Sequence, residues 1–197
     1  MPTVIVKESQ VAGEVRGRMV EGAALLLAKQ GLQATSFSEV LKATGAPRGS
    51  IYHHFPEGKD QLVDAALDLV ASRMLDGLAQ QGGRGAVEVT EYVLGAWRFV
   101  LERSQFRAGC AVLAVAVAAD SPGLLERAAA IFRAWRSCLA ELYVRAGLAP
   151  AVAARFATSV IAATEGAVVM SRAEQSLEPL RLVGEDLLEQ ARRLSAP

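Results

Sequence analysis

The chain has 197 residues, 52% of them hydrophobic, with 21 basic and 21 acidic side chains and therefore no formal net charge. That length and apolar content allow one or two small domains with a real core, and any affinity for nucleic acid must come from a local basic patch and not from the chain total. Two distant cysteines, Cys110 and Cys138, have no C-x-x-C spacing, and the only histidines, His53 and His54, diverge on a helix, so neither pair has metal-ligand spacing.

Residues 2–14 carry no charged-then-apolar signal pattern and read as a flexible arm. Helix 1 is predicted over residues 15–29, with Met19, Ala23, Leu26 and Leu27 facing inward and Gly31 stopping it. Ser36 and Glu39 then form an S-x-x-E capping box, each side chain satisfying a free backbone N–H of the first turn. Phe37, Val40 and Leu41 make the apolar stripe of helix 2, and Gly45 follows where the chain must turn left-handed. Pro47 suits the first turn of helix 3, where its missing N–H goes unnoticed, and Pro56 closes that helix by disfavouring helical geometry at Phe55. Residues 36–55 therefore read as a helix-turn-helix.

Helix 3 sorts its residues by angle. At about 100° per residue, with Ile51 inward, Phe55 lies on the same side and Arg48 and His54 flank it. Gly49, Ser50, Tyr52 and His53 fall on the outward arc. Glycine there lets another backbone approach, and the three polar side chains offer hydrogen bonds to phosphates or base edges. The alternative is an ordinary helical hairpin with a polar exterior. Lys7, Arg16, Arg18, Arg48 and Lys59 supply a basic patch that Glu8, Glu14, Glu57 and Asp60 dilute.

Helix 4 starts near Lys59 and carries Leu62, Ala66 and Leu69 up to Gly82-Gly83-Arg84-Gly85, a joint that no strand precedes and so no phosphate cradle. Helix 5 is predicted over residues 86–103, with Val89, Val93, Trp97 and Val100 on one face. Helix 6 is the apolar run of residues 108–119, too short to span a bilayer and hence buried. Ser121 and Pro122 give helix 7 an N-cap and a first-turn proline, and it continues to about residue 146. Helices 8 and 9 are predicted over residues 150–175 and 178–194, and Cys110 and Cys138 read as small buried hydrophobes, with a redox switch as the alternative. No segment alternates with period two, so an all-α fold of about nine helices is expected. It divides into an N-terminal helix-turn-helix domain, residues 13–73, and a C-terminal helical domain, residues 74–197.

Helix 8 is apolar nearly all round (Val152, Phe156, Val160, Ile161, Val168, Val169), and helix 9 repeats Leu180, Val183, Leu187, Ala191 and Leu194. Such helices need cover on every side, which implies a symmetric dimer packed as a four-helix bundle. The alternative makes helix 8 the central core helix of one chain. Glu165, set among Ala162, Ala163, Ala167 and Val168, must find a partner or have its pKa raised. It either anchors a ligand or pairs across the dimer.

Residues 18–63 resemble the DNA-binding domain of the TetR family of bacterial transcriptional regulators. The resemblance rests on Ala28-Lys29-Gln30-Gly31, Ala34-Thr35-Ser36, Gly45-Ala46, the run from Gly49 through Ser50, Ile51, Tyr52, His53, His54 and Phe55 to Pro56, and Lys59. The Gly-Ala-Pro-Arg-Gly-Ser form and the extra residue before Lys59 are similar to the LmrA/YxaF-like branch. Many members carry serine where Pro47 stands and lysine where Arg48 stands, so helix entry relies on proline's fixed φ and the cation is a forked one. The resemblance implies a bacterial, cytoplasmic, nucleoid-associated protein that binds a near-palindromic DNA operator through Thr35, Ser36, Arg48, Gly49, Ser50, Tyr52, His53 and Lys59. It also implies a homodimer through helices 8 and 9, no cofactor, metal or membrane, and no enzymatic activity.

In that family helices 4 to 8 enclose a small-molecule pocket whose occupancy changes the spacing of the two recognition helices. The corresponding lining here is Trp97, Leu101, Cys110, Leu113, Trp135, Leu139, Phe156, Thr164, Glu165 and Met170, each of which also suits a plain core. The expected function is a repressor released by a small, largely apolar effector. An enzyme with its site in the helical half is a second reading, opposed by the lack of histidine, nucleophile elbow or paired carboxylates there. A DNA-binding architectural protein without an effector is a third.

Overall fold

The computed structural model describes the backbone of residues 3–196 and the side chains of residues 13–196. Among the described residues there are nine helices and no strand: α1 (Thr3–Ala34), α2 (Phe37–Thr44), α3 (Arg48–His54), α4 (Lys59–Ala79), α5 (Ala86–Arg103), α6 (Ala111–Ala118), α7 (Pro122–Arg145), α8 (Pro150–Glu174) and α9 (Glu178–Ser195). The all-α expectation holds, and the boundaries of α5, α7, α8 and α9 lie within a residue or so of those predicted.

Two boundaries differ. The first helix begins at Thr3 and not near residue 15, so the backbone of the expected arm is helical; the side chains of Lys7 and Glu8 lie outside the described residues. Gly31 interrupts that helix as expected, at φ 79° and ψ 180°, but the chain resumes one more turn to Ala34. The apolar run at residues 108–119 forms a helix only from Ala111, because Cys110 is its N-cap and accepts a hydrogen bond through Sγ from the Leu113 N–H at 3.3 Å.

Small N-terminal helices pack around the first half of α1, while α4 packs against both α1 and α7 and so belongs to both halves of the molecule. Its core face buries Leu62, Val63, Ala66, Leu67, Ala71 and Leu78. Where α4 meets α5, a Cβ on Gly77 would collide with the Tyr92 hydroxyl, so only glycine permits that approach. Further in, α7, α8 and α5 bury Trp135, Tyr143, Phe156 and Leu139 at 1% exposure or less. The Tyr143 hydroxyl bonds with Thr90 Oγ1 at 2.8 Å, so neither buried hydroxyl is left unpaired.

Specific joints tie the two halves together. The Gly109 N–H donates to the Ala28 carbonyl at 2.8 Å, and Gln33 Nε2 donates to the Ala118 carbonyl at 3.3 Å, so α6 is tied at both ends to α1. Arg172, near the end of α8, donates to the carbonyls of Lys29 at 3.1 Å and Arg107 at 3.2 Å. Arg127 of α7 pairs with Asp64 (3.2 Å) and Asp68 of α4, and Trp135 Nε1 donates to the Ala71 carbonyl at 3.4 Å.

The helix α8 is long and apolar enough to cross a membrane by length and composition, yet it packs against α5, α7 and α9 and buries Thr164, Glu165 and Ser171. Its apolar character is not uniform round the axis. Arg155, Thr158, Ser159, Ala162, Gly166, Val169 and Met170 face outward, a stripe of polar and small residues with two large apolar ones. The predicted repeat on helix 9 is covered largely within the chain: Leu180, Leu187 and Ala191 are buried and Val183 and Leu194 half-buried, and α9 packs on α5 and α8. Its outer face is charged instead, with Arg181 paired to Glu185 at 2.6 Å.

Candidate nucleic-acid interface and ligand cavities

Ser36 caps α2 by accepting from the Glu39 N–H at 3.3 Å, the side-chain half of the expected box; Glu39 makes no return bond among the described residues. Gly45 ends the helix at φ 65°, in the left-handed region that only glycine enters freely. Pro47 is the N-cap of α3, one residue earlier than expected, and makes no side-chain cap. The gap is filled locally, since Ser50 donates from both its N–H (3.0 Å) and its hydroxyl (2.6 Å) to the Pro47 carbonyl.

On α3 the angular reading holds. Ile51 and Phe55 are fully buried, while Arg48, Gly49, Tyr52 and His53 are exposed and Ser50 and His54 are intermediate. Tyr52 is 67% exposed, yet its ring meets Phe37 of α2 edge-on at 5.5 Å, which fixes the phenol on the outer surface. A Cβ on Gly49 would meet nothing within 4 Å, so packing within the chain does not require a glycine there. Arg16 lies over the Phe55 ring at 5.3 Å, beside His54. Partial burial, with His53 and Arg16 as like charges, holds the His54 imidazole below its ordinary value.

Two expected contacts are engaged elsewhere. Thr35 is buried, and its Oγ1 donates to the Gly31 carbonyl at 2.8 Å, which removes it from the outward surface. Lys59 Nζ donates to the Leu32 carbonyl at 2.7 Å, linking the start of α4 to the end of α1. Both bonds answer carbonyls in the last turn of α1, which stops at Ala34, a demand that motif spacing does not reveal.

The ten residues expected to line one pocket divide between two spaces and the core. Trp97, Cys110 and Trp135 line a cavity of about 600 Å³ with Leu25 and Ala28 of α1, Val70, Arg73 and Met74 of α4, and Tyr92 and Phe99 of α5. Leu113, Glu165 and Met170 line a groove of about 640 Å³ between α6, α7 and α8, with Phe132, Arg136 and Ile161. Leu101, Leu139, Phe156 and Thr164 line neither; they are buried at 1% exposure or less, and Thr164 Oγ1 donates to the Val160 carbonyl at 2.8 Å. Helical spacing cannot distinguish a cavity wall from a filled core, since both need apolar side chains on the inner face. Sequence reasoning missed Arg73, which lines the first cavity and pairs with Glu21 of α1 at 2.7 Å.

A model of bacterial regulatory proteins of the tetR family matches residues 20–66, and a model of the C-terminal domain of LmrA/YxaF-like transcriptional regulators matches residues 86–186. The chain belongs to the TetR family. An HTH-type transcriptional regulator of Mycobacterium tuberculosis is 35% identical over 179 residues, covering 87% of this chain and 91% of its own length. HTH-type transcriptional regulator LmrA of Bacillus subtilis is 28% identical, over 85% of this chain and 92% of its own. The crystal structure of a TetR transcriptional regulator from Chloroflexus aurantiacus is 32% identical and superposes with a TM-score of 0.77 over 93% of this chain and 97% of that one. The protein is thus a TetR-family transcriptional regulator of the LmrA/YxaF-like branch.

Within this TetR-family chain Glu165 is the carboxyl whose ionisation is shifted by burial. It is 7% exposed, and its Oε2 has no hydrogen-bond partner among the described residues. Burial raises its pKa to about 7, against a smaller opposing contribution from the Cys110 thiol beside it. Burial and the Glu165 carboxyl push the Cys110 thiol well above its ordinary value, so it stays protonated, a poor candidate for the redox role. A carboxyl raised above its unfolded value keeps a proton that the unfolded chain releases. Stability should therefore fall as pH rises from about 4.5 to about 7. Melting temperatures across that range should flatten in Glu165→Gln relative to the wild type; parallel curves would show that the carboxyl is not desolvated.

Proposed function

We propose that this TetR-family regulator is a repressor that grips a near-palindromic operator as a homodimer and releases it when a small, largely apolar molecule enters the cavity between α1, α4, α5 and α7. The observation that carries the DNA-binding half is the outward arc of α3. Gly49, where the fold itself tolerates a side chain, lets a phosphate or base edge approach the backbone, and Arg48, Tyr52 and His53 supply the hydrogen bonds. Ser36, at the start of α2, adds a phosphate contact, and Ser50 another once its hydroxyl leaves the Pro47 carbonyl. Thr35 and Lys59 act by holding α1 to the motif.

The dimer forms through the outward stripe of α8, where Ala162 and Gly166 allow close helix approach and Val169 and Met170 supply apolar area. With α9 facing mostly inward, its contribution reduces to Leu182 and the charged rim. Lying in the cytoplasm on the nucleoid, the protein needs no cofactor for this work.

Release follows from which elements wall the cavity. A volume of about 600 Å³ suits a small molecule, and the lining is apolar and aromatic with few polar groups. A ligand there touches α1 at Leu25 and Ala28 and α4 at Val70 and Met74. Those two helices carry the motif, through the Lys59 bond to Leu32 among others. Two recognition helices must stand about 34–36 Å apart to enter successive major grooves, so a small displacement of α4 against α1 is enough to spoil the fit.

DNA selected by the purified protein from a random pool should be palindromic, and its binding should weaken with salt. Each phosphate neutralised contributes about −0.9 to the slope of log affinity against log salt. A flat salt response, or a half-site bound as tightly as the full palindrome, would refute dimeric operator binding.

A further inference from the structure

The groove between α6, α7 and α8 has a chemistry unlike that of the cavity between α1, α4, α5 and α7. Leu113, Phe132, Ile161 and Met170 make it apolar, Glu165 is its one acid and Arg136 its one base. The two charges do not meet within salt-bridge distance, and Arg136 is half-exposed, where water serves it. Glu165 is different: it is more than nine-tenths buried and carries an oxygen that nothing in the described chain satisfies. A buried polar atom left unpaired is costly, and a desolvated carboxyl gains most from a donor that brings positive charge.

Position adds to this. Glu165 lies beside the Cys110 thiol, and Cys110 both caps α6 and lines the first cavity. The neighbouring Gly109 is bonded to Ala28 of α1. Whatever binds the Glu165 carboxyl therefore acts on the wall between the two spaces, one residue from a joint to the DNA-binding half.

We propose that this groove is a second binding site, for an apolar amine whose ammonium group is held by Glu165. Phe132, Ile161 and Met170 take the hydrocarbon body, and Glu165 takes the charge as a carboxylate. The binding residues all come from one chain, although the proposed dimer would cover the groove, since Ala162, Gly166, Val169 and Met170 belong both to it and to the outward stripe of α8. Its ligand preference does not depend on operator release by the first cavity.

Calorimetric titration of the full-length protein with naphthylmethylamine, naphthylmethanol and naphthoic acid separates the chemistries, with sedimentation recording the oligomeric state. The wild type should bind the amine at least about tenfold more tightly than the alcohol, and the acid more weakly than either. Glu165→Gln, nearly the same size, should lose that preference while binding the alcohol as before, which also shows that it is folded. Equal binding of amine and alcohol by the wild type, no binding of the amine, or a preference that survives in Glu165→Gln would each overturn the proposal. So would a variant that dissociates into monomers and binds none of the three, because the carboxyl would then be a dimer joint. Protein that is monomeric before any substitution but still prefers the amine would defeat the dimer reading and leave this site standing.

Discussion

Tyr52→Ala is expected to lose about 1–3 kcal/mol of operator affinity while melting at the wild-type temperature, and its neighbour Ile51→Ala to do the reverse. Tyr52 is 67% exposed and packs edge-on against Phe37, so its removal takes little from the core. Ile51 is fully buried in the cluster that holds Val40, Phe55 and Leu62, so truncation removes methyl groups and leaves a cavity. The cost there is about 2–5 kcal/mol of stability, large against the few kcal/mol by which a domain is folded. His53→Ala should follow Tyr52, being exposed on the same arc. Melting curves and operator titrations on the same samples separate the two effects. Normal operator binding by Tyr52→Ala would show that the reading face lies at another angle.

That contrast was legible in the sequence because a short helix bounded by Gly45 and Pro56 leaves few ways to orient itself. The apolar pair Ile51 and Phe55, four residues apart, fixes the inner side, and the remaining angles follow. Prolines likewise located two other helices: Pro122 and Pro150 each stand in the first turn of their helix. The roles of Thr35 and Lys59 were not legible, because they depend on backbone carbonyls at the end of α1 and not on any pattern of side chains. The two spaces were not legible either. Trp97 and Leu101 lie on one face of α5, one helical turn apart; the first walls the cavity and the second is sealed in the core. Only the distance to α1 and α4 decides between them. The α9 stripe shows the same ambiguity, since an apolar face says that it is covered and not by which chain.

Filling the cavity between α1, α4, α5 and α7 should abolish induction without loss of operator binding, and the substitution that tests this best is Ala96→Trp. Ala96 is half-buried and lines the cavity between Tyr92 and Phe99, so an added indole enters the space and does not displace packed core. Thr164→Trp is unsuitable, because Thr164 is fully buried away from both spaces and would overpack α8. Cys110→Trp enters the cavity but also deletes the α6 cap and crowds Glu165, so it perturbs two functions at once. The energetic requirement is modest: a tenfold loss of operator affinity needs about 1.4 kcal/mol of coupling, and a ligand that binds both conformations equally produces none. Ala96→Trp should therefore hold operator like the wild type and stay bound at concentrations of a compound that release the wild type completely. If that compound still releases the variant, the inducing site lies outside the cavity.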